Sequence, residues 1–159
     1  PGLITKFGGH AMAAGLSLPE ARFEEFAECL VNAVTDMSTP ELFEPVVFTD
    51  GELEEVQLSL DSAYRIDHAG PWGQGFPEPL FQGRFRIRQR RILKDKHMKL
   101  VLTPETGRRE LDAIIFNTDC TQWPQVGDAF ACTYRLSINR FRGNESLQLM
   151  IQDVDFGSQ

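Results

Sequence analysis

Nine consecutive residues, Phe7-Gly8-Gly9-His10-Ala11-Met12-Ala13-Ala14-Gly15, concentrate the most chemistry in this sequence. Paired glycines let a backbone approach a ligand closely, because no Cβ stands in the way. The small residues at 11, 13 and 14 suit a helix start packed tightly behind the turn. Backbone N–H groups at such a start favour an anion, and His10 adds a further donor. Gly8, Gly9 and His10 are therefore candidates for holding a phosphate. The plain alternative is a glycine turn before a small-residue helix, with His10 simply hydrogen-bonded. Spacing does not choose between the two.

A second pattern is Gly83-Arg84-Phe85-Arg86-Ile87-Arg88-Gln89-Arg90-Arg91. Side chains alternate along a strand, so Arg84, Arg86, Arg88 and Arg90 are expected on one face, with Phe85 and Ile87 turned to the core. Same-face neighbours stand ~6.6 Å apart, a spacing that follows a phosphate backbone. The hairpin partner adds Lys99, and the connecting turn adds Lys94, Lys96 and His97. Single strands are held by such cationic grooves together with aromatic rings that stack on bases. Trp72 and Phe76 in the preceding loop are the aromatic candidates. Arg84, Arg86, Arg88 and Trp72 are accordingly the expected contacts to a nucleic-acid single strand. Against this stands a solvated strand face neutralised by acidic residues elsewhere, with the two aromatics plugging a core or a hinge. A third pattern, Asn139-Arg140-Phe141-Arg142-Gly143-Asn144, has the composition of a hairpin turn, and its contact with a nucleotide is open.

Catalytic patterns are absent from the sequence. His10, His68 and His97 are isolated from one another, and no Asp/His cluster has metal-ligand spacing. There is no phosphate-binding P-loop, no GxGxxG and no Gly-x-Ser-x-Gly elbow. No catalytic centre, metal set or cofactor is therefore expected within these residues.

The elements that must carry these residues can be read coarsely. Residues 19–36 read as an amphipathic helix, with Pro19 at its start, Glu20, Glu24 and Glu25 near its positive end, and Phe23, Phe26, Ala27, Leu30, Val31 and Val34 at helical spacing. Ala14 to Leu18 reads as a short buried strand. Ser38-Thr39-Pro40 punctuates the chain, which places a boundary between parts 1–38 and 39–159. Val46-Val47-Phe48 reads as a strand before an Asp50-Gly51 turn, and Ser59 to His68 as a short helix capped by Ser59. Residues 70–79 form a Gly/Pro-rich loop. Five strands then follow over 81–93, 98–103, 111–117, 129–138 and 147–156. The fold class is α+β: a small α/β piece, then a mainly antiparallel five-stranded barrel of the OB type.

Charge and composition bound the function. The 159 residues carry a formal charge of −7, which alone argues against a nucleic-acid partner. Residues 1–60 hold −9, residues 61–110 hold +5 and residues 111–159 hold −3. Arg84 to Lys99 includes eight basic residues and one acid, Asp95, so the average conceals a strong local potential. No apolar run approaches the ~18 residues of a membrane helix. The chain opens Pro1-Gly2-Leu3 without a signal peptide or a methionine, which predicts a part cut from a longer protein. Cys29, Cys120 and Cys132 read as free thiols of a reducing cytoplasm.

Phe7 to Gly15 resembles the GGHxxAAG signature of the domain that follows the Asp-His-His phosphoesterase domain in the RecJ exonuclease family. His68 to Phe81, HAGPWGQGFPEPLF, looks like the stretch joining the RecJ core to its OB domain, and Ile138 to Ile151, INRFRGNESLQLMI, is similar to that domain's closing hairpin. The resemblance covers essentially the whole chain. It implies the C-terminal part of a single-strand-specific exonuclease that degrades DNA from the 5′ end in recombination and repair, cooperating with single-stranded DNA-binding protein. It further implies a Mn2+/Mg2+ site held by an N-terminal domain outside these residues, so that this part alone is inactive. Gly8, Gly9 and His10 would face that site and hold the substrate phosphate, while Ala13, Ala14 and Gly15 shape the loop. The rival expectation is an OB-like interaction module that docks an acidic tail such as that of single-stranded DNA-binding protein, since an arginine row suits carboxylates as well as phosphates.

Overall fold

The computed structural model describes residues 2–39, 42 and 46–156. They fall into two compact units, Pro1–Val47 and Phe48–Gln159.

The first unit is a hairpin and a helix. β1 (Lys6–His10) pairs antiparallel with β2 (Ala13–Ser17), so the chain turns at Ala11-Met12 rather than entering a helix there. The helix start expected from the small residues is replaced by this hairpin, while the short strand expected at Ala14 to Leu18 is present as β2 but exposed rather than buried. Alanine and glycine fit closely paired backbones as readily as a tight helix, and the ladder to Lys6–His10 decided the outcome. A 3-10 turn at Glu20–Arg22 leads into α1 (Phe23–Met37). Glu24 and Glu25 complement its positive end, and Arg22 reaches Glu25 at 2.7 Å. Phe23, Leu30, Val31, Val34 and Met37 are exposed on it.

The second unit is a closed barrel with one helix. Residues 46–50 form no strand. The segment is tied at points instead: Asp50 donates its N–H to Leu80 O at 2.7 Å, and Glu52 makes a single bridge to Gln82. β4 first meets β3 at Phe85, which leaves only the start of β3 open to such a bridge. α2 (Leu60–Ala69) is capped by Ser59, whose hydroxyl accepts the Ser62 N–H at 3.2 Å, and it packs on β6 and β7. The strands are β3 (Phe81–Leu93), β4 (His97–Pro104), β5 (Leu111–Phe116), β6 (Ala129–Phe141) and β7 (Asn144–Asp155). They close in the order β3-β4-β5-β7-β6, antiparallel except for β5 against β7. This is the five-stranded OB arrangement the strand count predicts.

Alternation along the strands builds the core. Phe85, Ile87, Met98, Leu100, Leu102, Ala113, Phe130, Tyr134 and Leu149 are almost completely buried. Trp123, Phe130 and Phe156 meet edge to face at one end, with Trp123 to Phe130 at 5.2 Å. Cys132 lies in this core, and burial pushes its thiol up to about 12. Its neutral form therefore contributes stability that is present below the unfolded thiol's ~8.5 and is lost progressively as pH rises from there towards 12. We expect exposed Cys29 to react with a thiol-specific reagent at pH 8 about 100-fold faster than Cys132. Mass-spectrometric timing of the labelled sites on the native protein checks this, and comparable rates would contradict it.

Candidate nucleic-acid interface

The glycine motif lies on the first unit's ribbon. Gly8 stands opposite Gly15, Gly9 opposite Ala14 and His10 opposite Ala13. A Cβ at Gly9 would come 2.8 Å from Ala13 O and 3.0 Å from Ala14 Cα, so only glycine lets the strands meet there. Gly9→Ala should therefore loosen the hairpin by about 1–3 kcal/mol, read as faster amide exchange over 6–17; unchanged exchange would contradict it. The His10 imidazole is exposed and makes no hydrogen bond among the described residues.

On the barrel, the arginine row is broken by a bulge. Ile87 pairs with Leu102 but Gln89 pairs with Val101, so Arg88 is the extra residue. Beyond it the faces exchange. Arg90 opposes buried Leu100 and Arg91 opposes Lys99, which puts Arg91 on the outer face and turns Arg90 inward. The expectation that Arg90 continues the row of Arg84, Arg86 and Arg88 is thereby overturned. Arg90 Nη1 donates to both Trp123 O and Pro124 O at 3.0 Å, holding the 117–128 loop across the barrel end.

The three arginines singled out as DNA contacts are each engaged on one side. Arg84 Nε donates to Glu105 at 2.9 Å, Arg86 Nη1 to Gly127 O at 2.6 Å and Arg88 Nε to Thr103 Oγ1 at 2.8 Å. A guanidinium has five donors, so each keeps others for a ligand. Trp72 packs against Phe76 with ring centroids 4.8 Å apart and planes tilted by 31°, and its buried indole N–H has no partner among the described residues.

Cations without any ionic partner among the described residues gather elsewhere. Arg91, Lys94 and Lys96 sit at the tip of the β3–β4 hairpin. Lys94 and Asp95 hold the turn in left-handed backbone, at φ 51° and 58°. Lys99 follows, 3.6 Å from Asp112. Beside them on the outer face, His97 stands opposite Phe116 with the rings edge to face at 5.2 Å, and His97 Nδ1 accepts the Asn117 N–H at 3.1 Å. Phe116 is 49% exposed, a ring at the rim of a cationic hairpin. Sequence reasoning passed over Phe116, although alternation from buried Leu111 along β5 already turns residues 112, 114 and 116 outward. A groove of about 320 Å3 opens further along the same sheet, lined by Val101, Arg109, Glu110, Asp112 and Ser146. At its far end the β6–β7 turn, Arg142-Gly143, carries the 62%-exposed Phe141 with the Arg142 guanidinium 5.1 Å above its ring.

The small closed barrel that carries these groups has known counterparts. A family model, the RecJ OB domain, matches residues 49–153. The chain belongs to the RecJ OB domain family. The single-stranded-DNA-specific exonuclease RecJ of Salmonella typhimurium is 48% identical over 155 residues, 97% of this chain and 27% of that protein. RecJ of Escherichia coli is 44% identical over 155 residues, again 97% and 27%. The chain thus spans about a quarter of the RecJ proteins it matches. Among solved structures, RecJ of Thermus thermophilus in complex with Mn2+ superposes with a TM-score of 0.70 at 23% identity, covering 99% of this chain and 22% of that one. Its Mg2+ complex gives 0.68, and both show the shared RecJ fold. The resemblance read from the three sequence stretches is the one these comparisons find. Those RecJ structures hold Mn2+ or Mg2+, yet no group of three His, Cys, Asp or Glu among the described residues of this chain suits a metal ion.

Proposed function

We propose that this chain is the strand-positioning part of a RecJ-like exonuclease that degrades single-stranded DNA from the 5′ end in recombination and repair. The observation that carries the reading is the cluster of unpaired Arg91, Lys94 and Lys96 beside exposed Phe116 on a barrel of the RecJ OB family. Cations track the phosphates and the ring offers a stacking surface, a combination that grips single strands without reading their sequence. Arg84, Arg86 and Arg88 add donors along β3, and Trp72 with Phe76 adds a second aromatic surface. Residues 1–38 are the end of the domain that follows the phosphoesterase core, with Gly8, Gly9 and His10 holding the substrate phosphate, and 39–159 are the OB domain. Divalent Mn2+ or Mg2+ belongs to the rest of the full-length enzyme, so the fragment alone does not cleave. No helix among the described residues is long and apolar enough to cross a membrane, and the proposed compartment is the cytoplasm. Family membership favours a nucleic-acid ligand over the docking of an acidic tail, and single-stranded DNA-binding protein enters as a partner of the parent enzyme.

Titrating a fluorescent single-stranded oligonucleotide at low and high salt tests this. Binding at low salt that weakens steeply with added salt is expected. Absence of binding at low salt would refute the reading, and degradation of the oligonucleotide by the isolated chain with Mn2+ would refute the placement of the metal site.

A further inference from the structure

The β4–β5 loop, Thr103-Pro104-Glu105-Thr106-Gly107-Arg108-Arg109-Glu110, holds an anion of the protein's own. The Arg109 N–H donates to Glu55 Oε1 at 2.8 Å, and the Arg108 N–H reaches both carboxylate oxygens at 3.3 Å. Two successive peptide N–H groups converging on one oxyanion form a concave backbone site that suits phosphate as well as carboxylate. A Cβ at Gly107 would lie 2.3 Å from Glu55 Oε2 and 2.8 Å from its Cδ, so a side chain there would push the carboxylate aside. The exposed Arg108 guanidinium has no partner among the described residues. The loop is also shaped independently of Glu55. Arg109 Nη1 donates to Leu58 O at 3.0 Å, Gly107 N to Pro104 O at 3.1 Å and Glu105 N to Arg84 O at 3.0 Å. The neighbouring Arg84 is covered in the same way, by Glu105 at 2.9 Å. Acidic side chains thus fill two positions at one end of the cationic surface.

We propose that the Gly107-Arg108-Arg109 backbone is a phosphate-binding site occupied in the free protein by Glu55, and that a phosphate of the bound strand displaces this carboxylate. This rests on the nucleic-acid reading for its ligand, while the anion site itself stands on the loop geometry. Glu55 then acts as an internal stand-in for a phosphate, and binding exchanges it for a phosphate that Arg108 also reaches.

The test has two arms on the 159-residue chain. Inorganic phosphate is titrated while the Arg108 and Arg109 amide resonances are followed in the wild type, Glu55→Ala and Glu55→Gln. Saturable shifts at least about tenfold tighter in Glu55→Ala than in the wild type are expected, as is their loss on adding Arg108→Ala. Should Glu55→Ala loosen the loop, Glu55→Gln retains an acceptor for the Arg109 N–H and should still respond more strongly than the wild type. No phosphate response in either variant overturns the site. In the second arm, oligonucleotide affinity is measured against salt: displacement predicts tighter binding in Glu55→Ala at a slope close to that of the wild type, because the same phosphate fills the site in both, and a slope flatter by about 0.7 once Arg108→Ala removes one cationic contact. Unchanged affinity in Glu55→Ala overturns the displacement. A phosphate response without any oligonucleotide binding in wild type or variants would instead sink the nucleic-acid reading and leave an anion site for another ligand.

Discussion

Replacing Phe85 by alanine should destabilise the barrel by about 3–5 kcal/mol, the largest effect we expect of any single truncation. Phe85 is 2% exposed, and its ring meets Tyr134 edge to face at 5.3 Å. It stands opposite Phe130 on β6 and Pro104 on β4, so one ring knits three strands. It also folds back over Gly83, where an added Cβ would lie 3.0 Å from Phe85 Cε2. Truncation would leave a cavity bounded on several sides by strands that cannot collapse inward, because the barrel is closed. A domain of this size has about 5–15 kcal/mol in total, so the loss would be a large part of it. Urea unfolding should show the midpoint falling by more than about 1 M with little change in slope. A shift under about 0.3 M would mean that the ring is not the centre of the core.

The largest effect on binding is expected from reversing three charges at the hairpin tip, Arg91→Glu, Lys94→Glu and Lys96→Glu together. Each phosphate contact on a single strand contributes about 0.7 to the dependence of log affinity on log salt, so removing three should flatten it by about 2. The same treatment of Arg84, Arg86 and Arg88 should do less to the slope. Arg84 is already neutralised by Glu105, and Arg86 and Arg88 each have one donor committed to Gly127 O or Thr103 Oγ1. Replacing Arg86 should also show a stability cost, since the loop beyond β5 loses its tie at Gly127. Oligonucleotide titrations at several salt concentrations, run beside urea unfolding, separate the two. If the β3 triple flattens the slope more than the tip triple, binding follows the strand and not the hairpin.

Much of the barrel was legible because its strands obey a two-residue alternation with clear turns between them. Phe81 to Leu93 came out with the same bounds in sequence and structure. The α2 helix followed from Ser59 as its cap. What alternation could not show was the inserted Arg88. A bulge leaves no residue-type signature here, since arginine sits on both sides of it, and one extra residue moves everything beyond it to the opposite face. Val46-Val47-Phe48 failed for a different reason. Its residues favour a strand, but no ladder forms over 46–50, and the single bridge to Gln82 is made further on, by Glu52. Ala11 to Ala14 failed because small residues are equally at home in a tight helix and in closely paired strands. The candidate site was legible as a charge pattern only. Which cations are committed and which are free depends on distant carbonyls and carboxylates at residues 105, 123, 124 and 127, which no local spacing encodes.

Closure of the barrel carries one more consequence. A sheet with exposed edges can recruit a partner by lending it backbone hydrogen bonds, strand against strand. Here the strands close in a ring, which shortens the free edges without abolishing them (β3 is paired on both sides only at Phe85 and Arg86), and the ligand proposed above is met by side chains: cations for phosphates, ring faces for bases. Neither depends on base identity or fixes the ligand in one register. A strand held this way can slip forward by one nucleotide and find the same grip again, which is the property the proposed strand-positioning role calls for.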